Sequence, residues 1–225
     1  KVFEACFREW ISDLAGVVAG VVAIDGKTAC GSRDGRNTAL HTVSAYATAS
    51  GLCLGQEHTR GKGHEIPAIK ALLDTLALKG CIVTIDAIGC QTEIARKILD
   101  RGGDYLLAVK DNQKDLADAL REFFADGEPR GFGSLPVSRF QSLEKAHGRI
   151  ETRQAMWVTN LSWLDKKLRE HWPKLAGLGM IERQREINGA VSTERAYYIG
   201  SQGIKSAESF AKAARDHWGI ENRSE

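Results

Sequence analysis

Hydrophobic runs alternate with polar, turn-rich segments through the first 125 residues, and the period of each run predicts its structure. Three strand-like runs, at 17–27, 39–48 and 52–59, are separated by short segments rich in Gly, Ser, Asn and Asp. Separators of this kind join neighbouring antiparallel strands. The three runs therefore predict an antiparallel meander.

Helical spacing begins at 65–78, where apolar residues recur every three or four positions, at Ile66, Ile69, Leu72, Leu73 and Leu76. The next runs predict a strand, a helix, a strand and a helix, at 81–86, 92–101, 105–109 and 113–124. Strands that alternate with helices run parallel through right-handed crossovers, whereas the leading hairpins stay antiparallel. The order predicts an α/β fold with a mixed five-stranded sheet and flanking helices.

Composition changes after residue 125, where a Gly- and Pro-rich break covers 126–133. Beyond it the pattern predicts three strands and a short helix, at 150–159, 180–187, 195–199 and, for the helix, 163–171. A last helix at 204–221 repeats an apolar residue every four positions, which predicts a buried stripe of Phe210, Ala214 and Trp218. We expect three parts, namely a core at 1–125, a β-rich insertion at 126–200, and a C-terminal helix at 201–225 that completes the core.

The overall composition is that of a globular protein, with 43% hydrophobic and 27% charged residues among 225. Five scattered cysteines without a Cys-x-x-Cys pair argue against a disulfide framework or a zinc ribbon, and favour a reducing, intracellular setting. The longest apolar stretch, 14–24, is shorter than the roughly 20 residues of a membrane span, and we expect no targeting peptide in the first residues. We therefore expect no membrane partner.

The charge balance leaves nucleic-acid binding to be argued from a local site, because the formal net charge is only +2. The predicted insertion carries the excess of positive charge, with 12 basic and 9 acidic residues. A local basic face beside a local acidic pocket is compatible with this balance.

Two aspartates each end an apolar strand. Asp25 follows the run at 21–24 and precedes Gly26, and Asp86 follows the run at 82–85. Burying an ionised carboxylate without a partner is costly, so two of them at one sheet edge favour a bound cation, and Mg²⁺ suits such oxygen ligands. The alternative is that each aspartate only caps a turn.

Two residues compete to be the third acidic group. Glu221 lies near the end of the last helix, three residues beyond Trp218 and on its predicted inward face. The alternative interpretation is that Glu221 sits at a frayed helix end and has no role in the site. Glu151 is the competitor, because it alternates with His147 and Arg149 onto one side of a predicted strand.

Five strings of residues, taken as an ordered set over almost the whole chain, resemble a known family. They are AIDGK at 23–27, IDAIGCQ at 85–91, LAVKDNQ at 107–113, HGRIE at 147–151 and HWGIEN at 217–222. Together they resemble the H-repeat-associated insertion-sequence transposases, a DDE family. The resemblance implies an RNase H-like core interrupted by a β-rich insertion before the last catalytic helix.

The resemblance also implies site residues, cofactors and partners. The catalytic and metal-binding acids fall on Asp25, Asp86 and Glu221, with Glu151 as a secondary metal candidate. They would hold two Mg²⁺ ions, with Mn²⁺ as a substitute, for phosphoryl transfer at DNA ends. Candidate DNA contacts, by motif position, are Lys27, Lys110, Asn112, Lys114, His147, Arg149 and Arg153.

Double-stranded DNA, both transposon ends and target, is the implied partner. A homodimer assembled on DNA and a bacterial cytoplasmic, nucleoid-associated location are the family expectation. His217 departs from the arginine that related transposases often carry four residues before the glutamate. The family is generally longer, so the chain resembles a truncated member. The alternatives are an RNase H-like nuclease or resolvase without strand transfer, and an inactive remnant that only binds DNA.

Overall fold

The structure is a computed structural model that describes residues 20–28, 41–59, 61, 63–146, 149–187 and 189–221, without the side chains at 146, 149, 220 and 221. The described residues form two compact units. The first unit comprises residues up to Leu107 and those from Ala213 onward, and the second comprises Ala108–Lys212.

The first unit is built on strands β1 to β5. They are, in order, Gly20–Thr28, His41–Ala47, Leu52–Thr59, Cys81–Ile85 and Asp104–Val109. Their spatial order is β3-β2-β1-β4-β5. β1, β2 and β3 pair antiparallel, and β4 pairs parallel with both β1 and β5. The predicted meander and the parallel crossovers that follow it are confirmed.

Two helices belong to this unit, α1 at Glu65–Thr75 and α2 at Thr92–Asp100. The apolar stripe of α1 is buried, as its spacing predicts. The side chain of Leu72 packs closely against Gly55 of β3. A Cβ atom at Gly55 would lie 3.0 Å from Leu72 Cδ1. The prediction extended α1 to residue 78, but the backbone turns extended at Leu76. Leu76 and Leu78 remain buried in the extended segment, so their hydrophobicity reports burial and not helix.

The second unit contains an antiparallel meander and two helices. Its strands β6 to β9 are Val137–Ala146, Arg149–Val158, Gly177–Ile187 and Ala190–Gly200, and each pairs with the next. The helices are α3 at Lys114–Gly127 and α4 at Lys166–His171. The sequence pattern missed β6, because it lies at the end of this meander and none of its described side chains is buried.

The last helix, α5, covers Ala207–Glu221. The predicted stripe is partly wrong, because Trp218 is 38% exposed. A spacing of four residues rotates by about 40° per step around a helix, so the stripe drifts off the buried face. Steps of three and four residues instead keep Phe210, Ala214 and His217 on that face, and all three are buried. Among the described helices, none is long and apolar enough to cross a membrane.

Candidate functional site

Asp25 and Asp86 come together at one edge of the first unit. Ile24 of β1 and Ile85 of β4 are register partners in a parallel pair, and each aspartate is the next residue along its strand. The parallel ladder stops at this pair, so the two carboxylates predicted from sequence are neighbours. The prediction that Asp25 ends its strand is wrong, because β1 continues to Thr28 through its pairing with β2. Coulombic repulsion from Asp86 on Asp25 shows the same proximity.

A tight turn holds Asp86. The residue precedes a short 3₁₀ helix, Ala87–Gly89, in which the Gly89 N–H donates to the Asp86 carbonyl at 2.9 Å. A Cβ at Gly89 would lie 2.3 Å from the Ile85 side chain, so only glycine lets this turn fold back onto β4. The turn therefore fixes the backbone from which the Asp86 carboxylate projects.

Asp25 sits in an environment that disfavours its charge. Burial is the largest cause and raises the pKa of this carboxyl above its ordinary value of 3.8. His217 opposes that rise, Asp86 adds to it, and Lys27 opposes it more weakly. Binding a cation is favourable for a carboxylate that is desolvated and repelled by a second carboxylate, because the cation offsets both unfavourable effects.

His217 is a buried residue beside Asp86 that the sequence pattern did not select. It is 7% exposed, and its Nδ1 lies 3.1 Å from the Thr84 hydroxyl on β4. Its Nε2 lies 3.5 Å from Asp86 Oδ1 and makes no hydrogen bond to any described residue. The available signal was its spacing, one helical turn before position 221 and in phase with Phe210 and Ala214.

The third predicted acid, Glu221, is the last residue of α5. Its backbone lies one helical turn beyond His217, while its side chain falls outside the described atoms. Its membership of the site therefore stays a prediction. Across the described residues, no group of three or more His, Cys, Asp or Glu side chains is arranged to hold a metal ion.

Glu151, the secondary metal candidate, belongs to the second unit and already has cationic partners. Its side chain is 4% exposed, its Oε2 accepts from Arg185 Nε at 3.0 Å, and its Oε1 pairs with Arg153. Arg153 also reaches Glu144 at 3.2 Å. The structure thus shows Glu151 at the centre of a cross-strand ion network.

The predicted DNA contacts divide between the two units. Lys27 lies in β1 beside Asp25 and is half-buried. Lys110, Asn112 and Lys114 are exposed residues of the second unit, in the segment from the end of β5 to the start of α3. His147 lies outside the described residues, and Arg149 is described by its backbone alone, as the first residue of β7.

The chain is similar in sequence to a family of transposases. A family model described as "Transposase DDE domain" matches residues 18–224. The chain is 40% identical to the putative transposase YncI of Escherichia coli O157:H7, and 38% identical to the H repeat-associated putative transposase YhhI of Escherichia coli strain K12. Each alignment covers 98% of the chain, but 57% and 59% of those relatives.

A third similar protein comes from Xanthobacter autotrophicus, where it is described as an uncharacterized protein in the dhlA 3′ region. It is 41% identical over 89% of the chain and 67% of its own length. The chain therefore spans about three fifths to two thirds of the length of these relatives. The similarity inferred from the five motif strings is confirmed.

Proposed function

Because the chain belongs to the transposase DDE domain family, we propose that it catalyses metal-dependent cleavage and joining of DNA strands at the ends of an insertion sequence. The observation that carries the proposal is the proximity of Asp25 and Asp86 where the parallel ladder between β1 and β4 stops, with His217 against them. The core would be RNase H-like, with residues 126–200 inserted before the helix that carries Glu221.

The residues at this edge fit a divalent metal. Asp25 and Asp86 offer hard oxygen ligands, and the unfavourable charge environment of Asp25 is the kind that a cation relieves. Asp25, Asp86 and Glu221 would hold Mg²⁺, or Mn²⁺ in its place. When bound, such ions act as Lewis acids on phosphate oxygens and lower the pKa of water or of a 3′-hydroxyl.

The chain's own residues supply placement and charge. Thr84 fixes one ring nitrogen of His217 and thereby directs the other toward Asp86, which restrains that carboxylate. Lys27 places a positive charge beside Asp25. In phosphoryl transfer most of the protein's contribution is positioning and charge neutralisation, which these contacts provide.

DNA would bind mainly through phosphate contacts from basic side chains. We propose Lys27 close to the acids, and three exposed residues from the end of β5 to the first residue of α3, namely Lys110, Asn112 and Lys114. His147, Arg149 and Arg153 are proposed from their positions in the sequence alone. Assembly as a homodimer on two DNA ends is part of the same proposal.

Glu151 is the weaker metal candidate. Both of its oxygens are engaged by arginines, so a metal would have to displace Arg153 or Arg185. We propose that it orders the basic side chains of β7 and β8 instead.

The proposal is tested by incubating the protein with Mg²⁺ and a plasmid that carries the inverted repeats flanking its gene. Wild-type protein should nick the DNA at the repeat ends and join those ends to a target. The variant Asp86→Ala should cut at least about a hundredfold more slowly, because charge-neutralising groups in phosphoryl transfer contribute factors of this size or more. Asp100→Asn, an exposed aspartate of α2, is the matched control.

Three results would separate the alternatives. Cutting without joining would identify a nuclease or resolvase, and DNA binding without cutting would identify a silent remnant. Efficient cutting by Asp86→Ala would remove Asp86 from the site.

A further inference from the structure

A buried polar triad joins the ends of three elements in the first unit. Thr28 ends β1, His41 begins β2 and Glu65 begins α1. The His41 Nδ1 lies 2.8 Å from the Thr28 hydroxyl, and its Nε2 lies 2.5 Å from Glu65 Oε1. His41 is 2% exposed and Glu65 is 7% exposed, so the pair is screened from water.

The helix dipole explains why a carboxylate such as Glu65 stands in the first turn of α1, but it does not explain why that carboxylate is buried. A carboxylate in the first turn of a helix is favoured by the helix dipole, but that interaction is also available at the surface. Burial of a charged or polar pair is at best neutral relative to well-packed apolar side chains. The presence of a buried His–Glu pair among Ile, Leu and Val side chains therefore needs an explanation other than stability.

Buried polar side chains of the first unit concentrate around the two aspartates. Among its described residues they are His41, Ser44, Glu65, Thr84 and His217. Ser44 is the register partner of Asp25 on β2, and Thr84 and His217 contact each other beside Asp86. His41 instead pairs in register with Thr28, so the triad lies near the same end of β1 but on the face opposite Asp25.

Gly26 connects the triad to Asp25. A Cβ at Gly26 would lie 3.0 Å from Glu65 Oε1 and 3.1 Å from His41 Nε2, so the pair packs directly on this peptide. Successive residues of a strand face opposite sides of a sheet. The His41–Glu65 pair therefore lies behind the strand, while Asp25 and Lys27 project from its other face.

We infer that His41 and Glu65 are positioning residues for Asp25. They clamp the backbone from Asp25 to Lys27 from behind, and Gly26 is glycine because the clamp occupies the space of its side chain. The pair touches neither DNA nor metal and acts through Asp25. This inference rests on the proposed function, since it assigns Asp25 the task of holding a metal ion.

The test compares Mn²⁺ affinity, measured by calorimetry, with backbone amide resonances of Asp25 and Lys27, measured by NMR. Glu65→Ala should weaken Mn²⁺ binding about 10- to 100-fold, the usual effect of losing a group that orients a metal ligand. Glu65→Gln keeps an acceptor for His41 and should stay within about threefold of wild type. Gly26→Ala should also weaken Mn²⁺ binding, because its methyl group would lie 3.0 Å from Glu65 Oε1 and the pair would have to shift.

Ile69→Ala is the matched control, since Ile69 is a buried residue of α1, 2% exposed, whose side chain carries no polar group. It should lower the melting temperature without changing Mn²⁺ affinity. The inference is overturned if Glu65→Ala and Gly26→Ala bind Mn²⁺ as wild type does, or if Ile69→Ala weakens binding as much as they do.

Failure of the proposed function gives a different result, in which the wild-type protein itself binds no Mn²⁺. The amide resonances then decide the inference. Glu65→Ala and Gly26→Ala should shift the Asp25 and Lys27 signals more than Ile69→Ala does. Equal or smaller shifts would overturn the clamp.

Discussion

At the residue scale, burial of the ionised Asp25 carboxylate lowers the stability of the folded protein. Its pKa is raised in the folded protein, chiefly by burial, so the folded state binds a proton more readily than the unfolded state between pH 3.8 and the raised value. Stability therefore falls as pH rises through that window, and the loss is fully present above it. A bound cation would offset the same unfavourable charge.

Asp25→Asn should consequently stabilise the metal-free protein at pH 7.5. We expect a rise in melting temperature of roughly 1–3 °C, in line with a small free-energy change in a chain of this size. The gain should vanish below about pH 3.8, where the carboxyl is protonated in both states. Scanning fluorimetry across pH measures it, with Asp100→Asn as control. A lower melting temperature at pH 7.5 would show that the carboxylate is stabilising.

His217 yields a separate prediction. His217→Ala should slow DNA cleavage about 10- to 100-fold, because Asp86 loses the group that restrains it. Thr84→Val should act in the same direction with a smaller effect, since it frees the imidazole without removing it. Glu208→Gln, at an exposed position of α5, is the control. Cleavage by His217→Ala at the wild-type rate would exclude the positioning role.

The proximity of Asp25 and Asp86 was predictable from sequence, whereas their polar surroundings were not. A carboxylate directly after an apolar run, as at Asp25 and Asp86, is visible in one segment of sequence. The contact of His217 with Thr84 joins positions 133 residues apart, and the triad behind Gly26 joins three separate segments. Contacts of this kind depend on strand register and helix packing, which a single-sequence pattern does not contain.

At the element scale, glycines of β8 make room for large aromatic side chains. A Cβ at Gly179 would lie 2.7 Å from both Trp157 of β7 and Phe210 of α5, and a Cβ at Gly177 would lie 2.3 Å from Trp157. The rings of Trp157 and Phe210 pack with centroids 5.0 Å apart. The glycines of β8 therefore leave space in which Trp157 and Phe210 pack together, and this packing holds the start of α5 against the meander.

Gly179→Ala should destabilise the protein by about 1–3 kcal/mol, the usual cost of forcing extra volume into a packed core. Urea unfolding measures this as a lower midpoint at an unchanged slope. Ser192→Ala, at an exposed position of β9, should stay within about 0.5 kcal/mol of wild type. An unchanged midpoint for Gly179→Ala would mean that α5 can shift to accept the methyl group.

Hydrophobic periodicity predicted the elements that bury a face and failed where burial is absent. It located β3 and the start of α1 at their observed residues, 52–59 and 65. It missed β6, where polar and charged residues predominate and backbone pairing with β7 makes the strand. It also started β8 at residue 180, because Gly177 and Gly179 carry no side chain to reveal a buried strand.

At the scale of the whole molecule, near-neutral charge and DNA binding are compatible. The formal net charge is +2, but the acids counted in it include Asp25, Asp86 and Glu221, whose charge metal ions would offset on binding. Several arginines of the second unit are likewise paired with glutamates, among them Arg153, Arg183 and Arg185. Local placement of charge, and not its sum, would therefore set the DNA-binding surface.

Calorimetric titration with Mn²⁺ tests most directly whether Asp25, Asp86 and Glu221 form one divalent-metal site. Wild-type protein should bind two ions, and Asp86→Ala should lose most of the affinity while remaining folded. Asp100→Asn should bind as wild type does. The claim would be contradicted if wild type bound no Mn²⁺, or if Asp86→Ala gave the same binding isotherm as wild type.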